Sequence, residues 1–171
     1  MAEQSTPSKA QLIETLRSSG AETAARLRSL PPEAFEQGRY ENGWNGRQIL
    51  AHIASIEWTY PRLIDLAREA SPPRPAAASP SQPGTSSPLR GGINDYNERQ
   101  VEKRAGASVA ELIEEFETNR AATIAAAESA DEALFSTPIR SAGGITGPLA
   151  SVLTAIAVLH VVQHVNDIAA E

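Results

Sequence analysis

The chain predicts an all-α fold, a four-helix bundle in up-down-down-up order. Three observations carry that prediction. Four long segments place apolar residues at helical spacing, no segment alternates at strand period, and one connection far exceeds what antiparallel neighbours need.

The first helix is predicted from about Pro7 to Leu30, with Leu12, Leu16, Ala24 and Leu27 on one face and a stop at Pro31–Pro32. Gly20 weakens its middle. The second opens at "GWNGRQIL", where Asn45 is the N-cap, Gln48 completes a capping box and Trp44 staples against Ile49. Ile49, Ile53, Ile56 and Leu63 form its stripe. Pro61 is expected to kink this helix rather than end it, because "RLIDLA" continues the pattern.

The stretch "SPPRPAAASPSQPGTSSPLRGG" (71–92) offers little to bury and reads as an extended, mobile connection. A short helix, "NDYNERQVEKR", follows. The third long helix starts at a second capping box, Ser108 with Glu111, and carries Leu112, Ile113, Phe116, Arg120 and Ile124. The fourth runs from Pro148 to the chain end. Neither a hairpin nor an internal repeat is expected. The crossover at 71–92 is long enough to return along the bundle, which makes the second and third helices parallel.

A length of 171 residues suits one domain, read as spanning 1–171. Net charge is −6 with no Lys/Arg cluster, so no nucleic-acid partner is expected. Cysteine is absent, which excludes disulfides, thiolate nucleophiles and Cys-ligated zinc; any thiol chemistry needs an exogenous thiol. The N-terminus lacks a basic-then-apolar signal pattern. The apolar run 148–165 is long enough to span a membrane, but two His, a Gln, a Ser and a Thr make it a buried helix. The expectation is a cytoplasmic protein without a membrane partner.

All three histidines fall in apolar segments. His160 and His164, in "LHVVQH", are one turn apart and project from the face that carries Leu149, Val152, Leu153 and Ile156. His52 stands three from Ile49 and four from Ile56 on its own apolar stripe. Two readings are open. Each imidazole is a hydrogen-bonded core residue, or the three converge on one divalent ion that satisfies them together. Three neutral imidazoles leave an ion with an open position. Nitrogen donors without thiolate suit Zn or Ni, with Fe or Mn as further candidates. Asp167, three beyond His164, is placed as a fourth ligand or as an acceptor orienting an imidazole, against a solvated residue in a fraying last turn. Gln163 flanks the same face, as a donor to a bound ligand or as packing. Glu57 falls roughly 140° round the helix from His52 and is expected to face solvent.

"GWNGRQILAHIASIE", "NDYNERQVEKRAGASVAELIEEFETNRAATI" and the terminal "LHVVQH" together resemble the DinB/YfiT-like superfamily. The nearest likeness is to the branch holding the N-terminal domain of mycothiol-dependent maleylpyruvate isomerase. It extends from about Leu12 to Ile168. The resemblance implies the up-down-down-up bundle and a metal triad of His52, His160 and His164. Asn97 in "DYNERQV" resembles a polar residue that the family places before its third helix. The segment 71–92 is longer than usual for the family, as a lid or as an insertion. The chain stops at Glu171, so the isomerase's second domain is expected to be missing.

The resemblance implies a metal-dependent transferase or isomerase that uses a low-molecular-weight thiol, mycothiol or bacillithiol, on a small electrophile. One alternative is a hydrolase activating water at the same three histidines. Another is a non-catalytic protein that binds or sequesters a small molecule. Val158, Val162 and Val165 lie away from the histidine face, so the last helix is either central or lines a homodimer interface.

Overall fold

The computed structural model describes residues 6–38, 43–71 and 92–170. Residues 72–91 of the crossover lie outside the described residues. The helices are α1 (Lys9–Ser29), α2 (Glu33–Glu36), α3 (Gly46–Glu57), α4 (Pro61–Ala70), α5 (Gly92–Lys103), α6 (Val109–Ser129), α7 (Leu149–Leu153) and α8 (His160–Ala169). A 3-10 turn covers Glu132–Ser136, and a π-helical stretch, Thr154–Leu159, joins α7 to α8.

Capping fixes where the long helices begin. Ser8 with Gln11, Asn45 with Gln48 and Ser108 with Glu111 each close a reciprocal capping box. Trp44 and Ile49 are buried in one apolar cluster at the start of α3.

Cross-helix bonds give the directions. Lys9, opening α1, donates to the carbonyls of Glu128 and Ala130 at the end of α6, while Arg28, closing α1, pairs with Glu117. So α1 and α6 are antiparallel. Arg47 donates to the carbonyls of Arg104 and Ala107, just before α6, and Ala54 accepts from Asn119. So α3 and α6 are parallel, as the long crossover requires. Tyr60 reaches Ile156 while His52 meets His160 and His164, which sets α8 against α3. Arg26 bonds Asn166, completing an α8 parallel to α1. The bundle is up-down-down-up.

Three local features depart from the expectations. The second helix stops at Glu57 and restarts at Pro61, which occupies the first position of α4 and so loses no helical hydrogen bond. A two-stranded antiparallel hairpin, β1 (Pro138–Arg140) with β2 (Thr146–Pro148), precedes α7. Its three-residue strands are too short to show alternation, and Gly144 turns it at φ +87°. The last helix is not α-helical throughout, because the π stretch interrupts it just before His160.

The core divides into two apolar clusters. One holds Leu12, Leu16, Tyr60, Ile64, Leu149 and Leu153; the other holds Leu27, Trp44, Ile53, Phe116, Val161 and Val165. Leu149–Ala169 is apolar over a membrane-spanning length, but half of its most apolar stretch is buried inside the bundle. Val165 belongs to this core at 2% exposure, whereas Val162 is 41% exposed. The breadth of the apolar face therefore comes mainly from the helix being central.

At the junction of the two clusters lies a buried ion pair. Arg120, 4% exposed, donates from Nε (2.6 Å) and Nη2 (3.0 Å) to the two carboxylate oxygens of Glu57, which is fully buried. Gly20 leaves room for it: a Cβ there would stand 3.0 Å from Arg120 Cγ. The glycine that weakens α1 is thus the contact that admits Arg120. The expectation that Glu57 faces solvent is corrected. Glu57 sits in the last turn of α3, where α6 supplies a matching cation and the buried sector widens beyond the apolar stripe.

Candidate metal centre

His52 projects from the middle of α3, and His160 and His164 from consecutive turns of α8. Because the two helices run against each other, the three rings converge. Ring centroids are 5.2 Å apart for His52–His164, 5.6 Å for His52–His160 and 4.4 Å for His160–His164. One ring nitrogen from each lies within 4.8 Å of the others. His52 and His164 are buried and His160 half-buried, so the cluster opens on the His160 side.

Each ring is held differently. Trp44 covers His52 at 5.3 Å between ring centroids. Asp167 Oδ2 lies 3.1 Å from His164 Nδ1. With the proton on Nδ1, donated to that carboxylate, the Nε2 lone pair of His164 faces the cluster. There it lies 3.0 Å from Nε2 of His160. His52 Nδ1 is buried with no hydrogen-bond partner, the one such side-chain atom among the described residues.

Burial, reinforced by the neighbouring imidazoles, lowers the pKa of His52 to about 3. Burial likewise lowers His160 to about 4. His164 also falls below the ordinary histidine value, against the pull of Asp167. All three rings are therefore neutral near pH 7, with lone pairs available.

These features fit a divalent ion. The donors are neutral imidazoles, one has its tautomer set by a carboxylate, and one carries a buried polar atom that the protein leaves unsatisfied. The Nε2 atoms of His160 and His164 stand 3.0 Å apart and all three ligand nitrogens lie within 4.8 Å, a spacing that one divalent ion could bridge after small side-chain adjustments.

The remaining candidates separate. Asp167 joins the cluster through His164. Gln163 is exposed, on the outer side of α8. Asn97 lies half-buried on α5 and makes no side-chain hydrogen bond to the described residues. The sequence assigns Tyr60 no role and places Glu57 in solvent, whereas both are buried. For Glu57 the missed signal was Arg120, a cation at helical spacing from Ile113 and Phe116 that calls for a buried anion opposite.

A model of the DinB superfamily matches residues 15–168. The chain belongs to the DinB superfamily. Among solved structures this DinB chain is similar to the mycothiol-dependent maleylpyruvate isomerase, with a TM-score of 0.68 and 17% identity over 94% of this chain and 60% of that one. It is also similar to YfiT from Bacillus subtilis, described as a probable metal-dependent hydrolase with an unusual four-helix bundle topology. There the TM-score is 0.66 and the identity 16%, over 99% of this chain and 90% of that one. At such identities the likeness shows a shared fold. The DinB chain spans about 60% of the isomerase's length. The curated proteins give no match.

Proposed function

We propose that this DinB chain is a metal-dependent enzyme in which His52, His160 and His164 hold one divalent ion, Zn or Ni first and Fe or Mn next. The observation that carries this reading is the convergence of three neutral imidazoles from two antiparallel helices, with ring nitrogens within 4.8 Å. Asp167 orients His164, and Trp44 shields His52 from water. Bound there, the ion would supply Lewis acidity, lowering the pKa of a thiol or water that meets it.

A thiol is favoured over water by what the surrounding carboxylates do. Glu57 is locked to Arg120, and Asp167 is engaged by His164. Neither is free to take a proton from water. A thiol, with a pKa of about 8.5 against 15.7 for water, needs much less help. The absence of cysteine accords with a thiol brought from outside, of the mycothiol or bacillithiol kind. The reaction is then transfer or isomerisation on a small electrophile, in the cytoplasm, by a single domain. Exposed Leu159, at the end of the π stretch, and Val162 on α8 support a homodimer as its assembly.

Turnover of a panel of small electrophiles, with and without added mycothiol or bacillithiol, tests the reading. Turnover that needs both thiol and metal is the expected result. Thiol-independent hydrolysis would replace it with the hydrolase, and ligand binding without turnover, indifferent to chelation, with the sequestration protein.

A further inference from the structure

The five N–H groups of Arg120 match five acceptor contacts. Two go to Glu57 on α3, one to the Leu16 carbonyl (3.0 Å) and one to Ser19 Oγ (3.1 Å) on α1, and one to the Ala157 carbonyl in the π stretch. The guanidinium also lies over the Phe116 ring, 5.1 Å from its centroid. One side chain of α6 therefore ties together the other three legs of the bundle.

The contact with Ala157 is not isolated. The preceding carbonyl, Ile156, accepts from the hydroxyl of Tyr60 at 2.9 Å, and Tyr60 is 1% exposed. Two consecutive carbonyls of the π stretch are thus held by buried side chains from the opposite wall. A π turn sets one residue more per turn than the α-helix, so everything after it is rotated by about 100° and displaced by about 1.5 Å relative to an unbroken helix. The first residue after the stretch is His160.

We propose that Arg120 and Tyr60 are positioning residues of the histidine cluster: by holding the Ala157 and Ile156 carbonyls they fix the π turn that aims His160 at His52 and His164. The consequence for metal affinity rests on the metal reading above; the placement of the rings does not. Glu57 takes part by orienting the guanidinium through two hydrogen bonds. Burial pushes its carboxyl pKa up, and the Arg120 bonds oppose that.

Two variants test this, Tyr60→Phe, which deletes one hydroxyl, and the double variant Glu57→Gln with Arg120→Met, which leaves no buried charge unpaired. Leu63→Ala, in the apolar cluster that holds Leu12 and Leu153 and with no hydrogen bond from its side chain to the π stretch, is the control for lost stability. Two readouts are taken on each folded protein. In metal-free protein, ring-to-ring NOEs report whether His160 faces His52. In Co(II)-loaded protein, titration gives the affinity and the visible d–d bands report the ligand geometry.

The expected result is loss of the His160–His52 NOE, altered d–d bands and roughly tenfold weaker Co(II) binding in Tyr60→Phe, with Leu63→Ala like wild type in all three. NOEs unchanged from wild type in Tyr60→Phe would overturn the proposal, whether or not the double variant folds. If wild type itself binds no Co(II), the metal reading fails by that arm, and the NOEs still decide the positioning.

Discussion

His52 and His164 face each other edge to face across two antiparallel helices, with ring planes at 90° and centroids 5.2 Å apart. His164 has its Nδ1 against Asp167, while His52 Nδ1 has no partner. That asymmetry makes the two roles separable by mutation. His52→Leu removes a buried unsatisfied nitrogen and keeps nearly the same volume. Metal-free His52→Leu is expected to be more stable than wild type by about 1 kcal/mol, and to bind no metal. Urea unfolding with chelator present measures it. A loss of stability instead would make His52 a packing residue.

Asp167 acts on His164 through a half-exposed hydrogen bond. Asp167→Asn is expected to weaken metal binding by about tenfold, with stability changed by less than about 1 kcal/mol. Competition titration against a chromogenic chelator checks the affinity. Gln163→Ala, on the exposed side of α8, should titrate like wild type.

Acid should destabilise the metal-free protein. The pKa of His52 drops from 6.5 in the unfolded chain to about 3 in the fold, so below 6.5 the unfolded state binds more protons. Its destabilising contribution starts as pH falls through 6.5 and is complete near 3. At pH 5 it amounts to about 2 kcal/mol. Urea midpoints between pH 8 and pH 5 should fall in wild type, and His52→Leu should make that slope shallower without removing it, because His160 and His164 are also held below the ordinary histidine value. Parallel slopes would mean that His52 is not kept neutral by the fold.

The Glu57–Arg120 pair predicts a non-additive pattern. Glu57→Leu alone strands a buried guanidinium and is expected to cost about 3–5 kcal/mol. Adding Arg120→Met should recover part of that loss, though the Leu16 and Ala157 carbonyls lose their donor. Thermal unfolding of the single and double variants closes the cycle. Simple additivity would show that the two charges do not interact.

How much of this was legible in the sequence depended on whether the signal was periodic. The long helices, their capping boxes and the parallel pairing of α3 and α6 follow from spacing, from Asn45 and Ser108, and from the length of the crossover. The inward direction of His52, His160 and His164 follows the same way. Glu57 did not, because its burial depends on Arg120 sixty-three residues away, a tertiary pairing that local spacing does not carry. The π stretch was hidden for the same reason, since two of its carbonyls accept from Tyr60 and Arg120, both distant in sequence. Pro61 suits a kink and a helix start equally, and the three-residue strands of the hairpin lie below the length at which alternation registers.

The central claim is that three histidines are gathered to hold one ion. Metal content of the untagged protein by mass spectrometry, beside His160→Ala purified identically, tests it most directly. The account predicts about one equivalent per chain in wild type and near none in the variant. No metal in wild type, with folding unchanged by chelator, would contradict it and leave the three imidazoles as core residues.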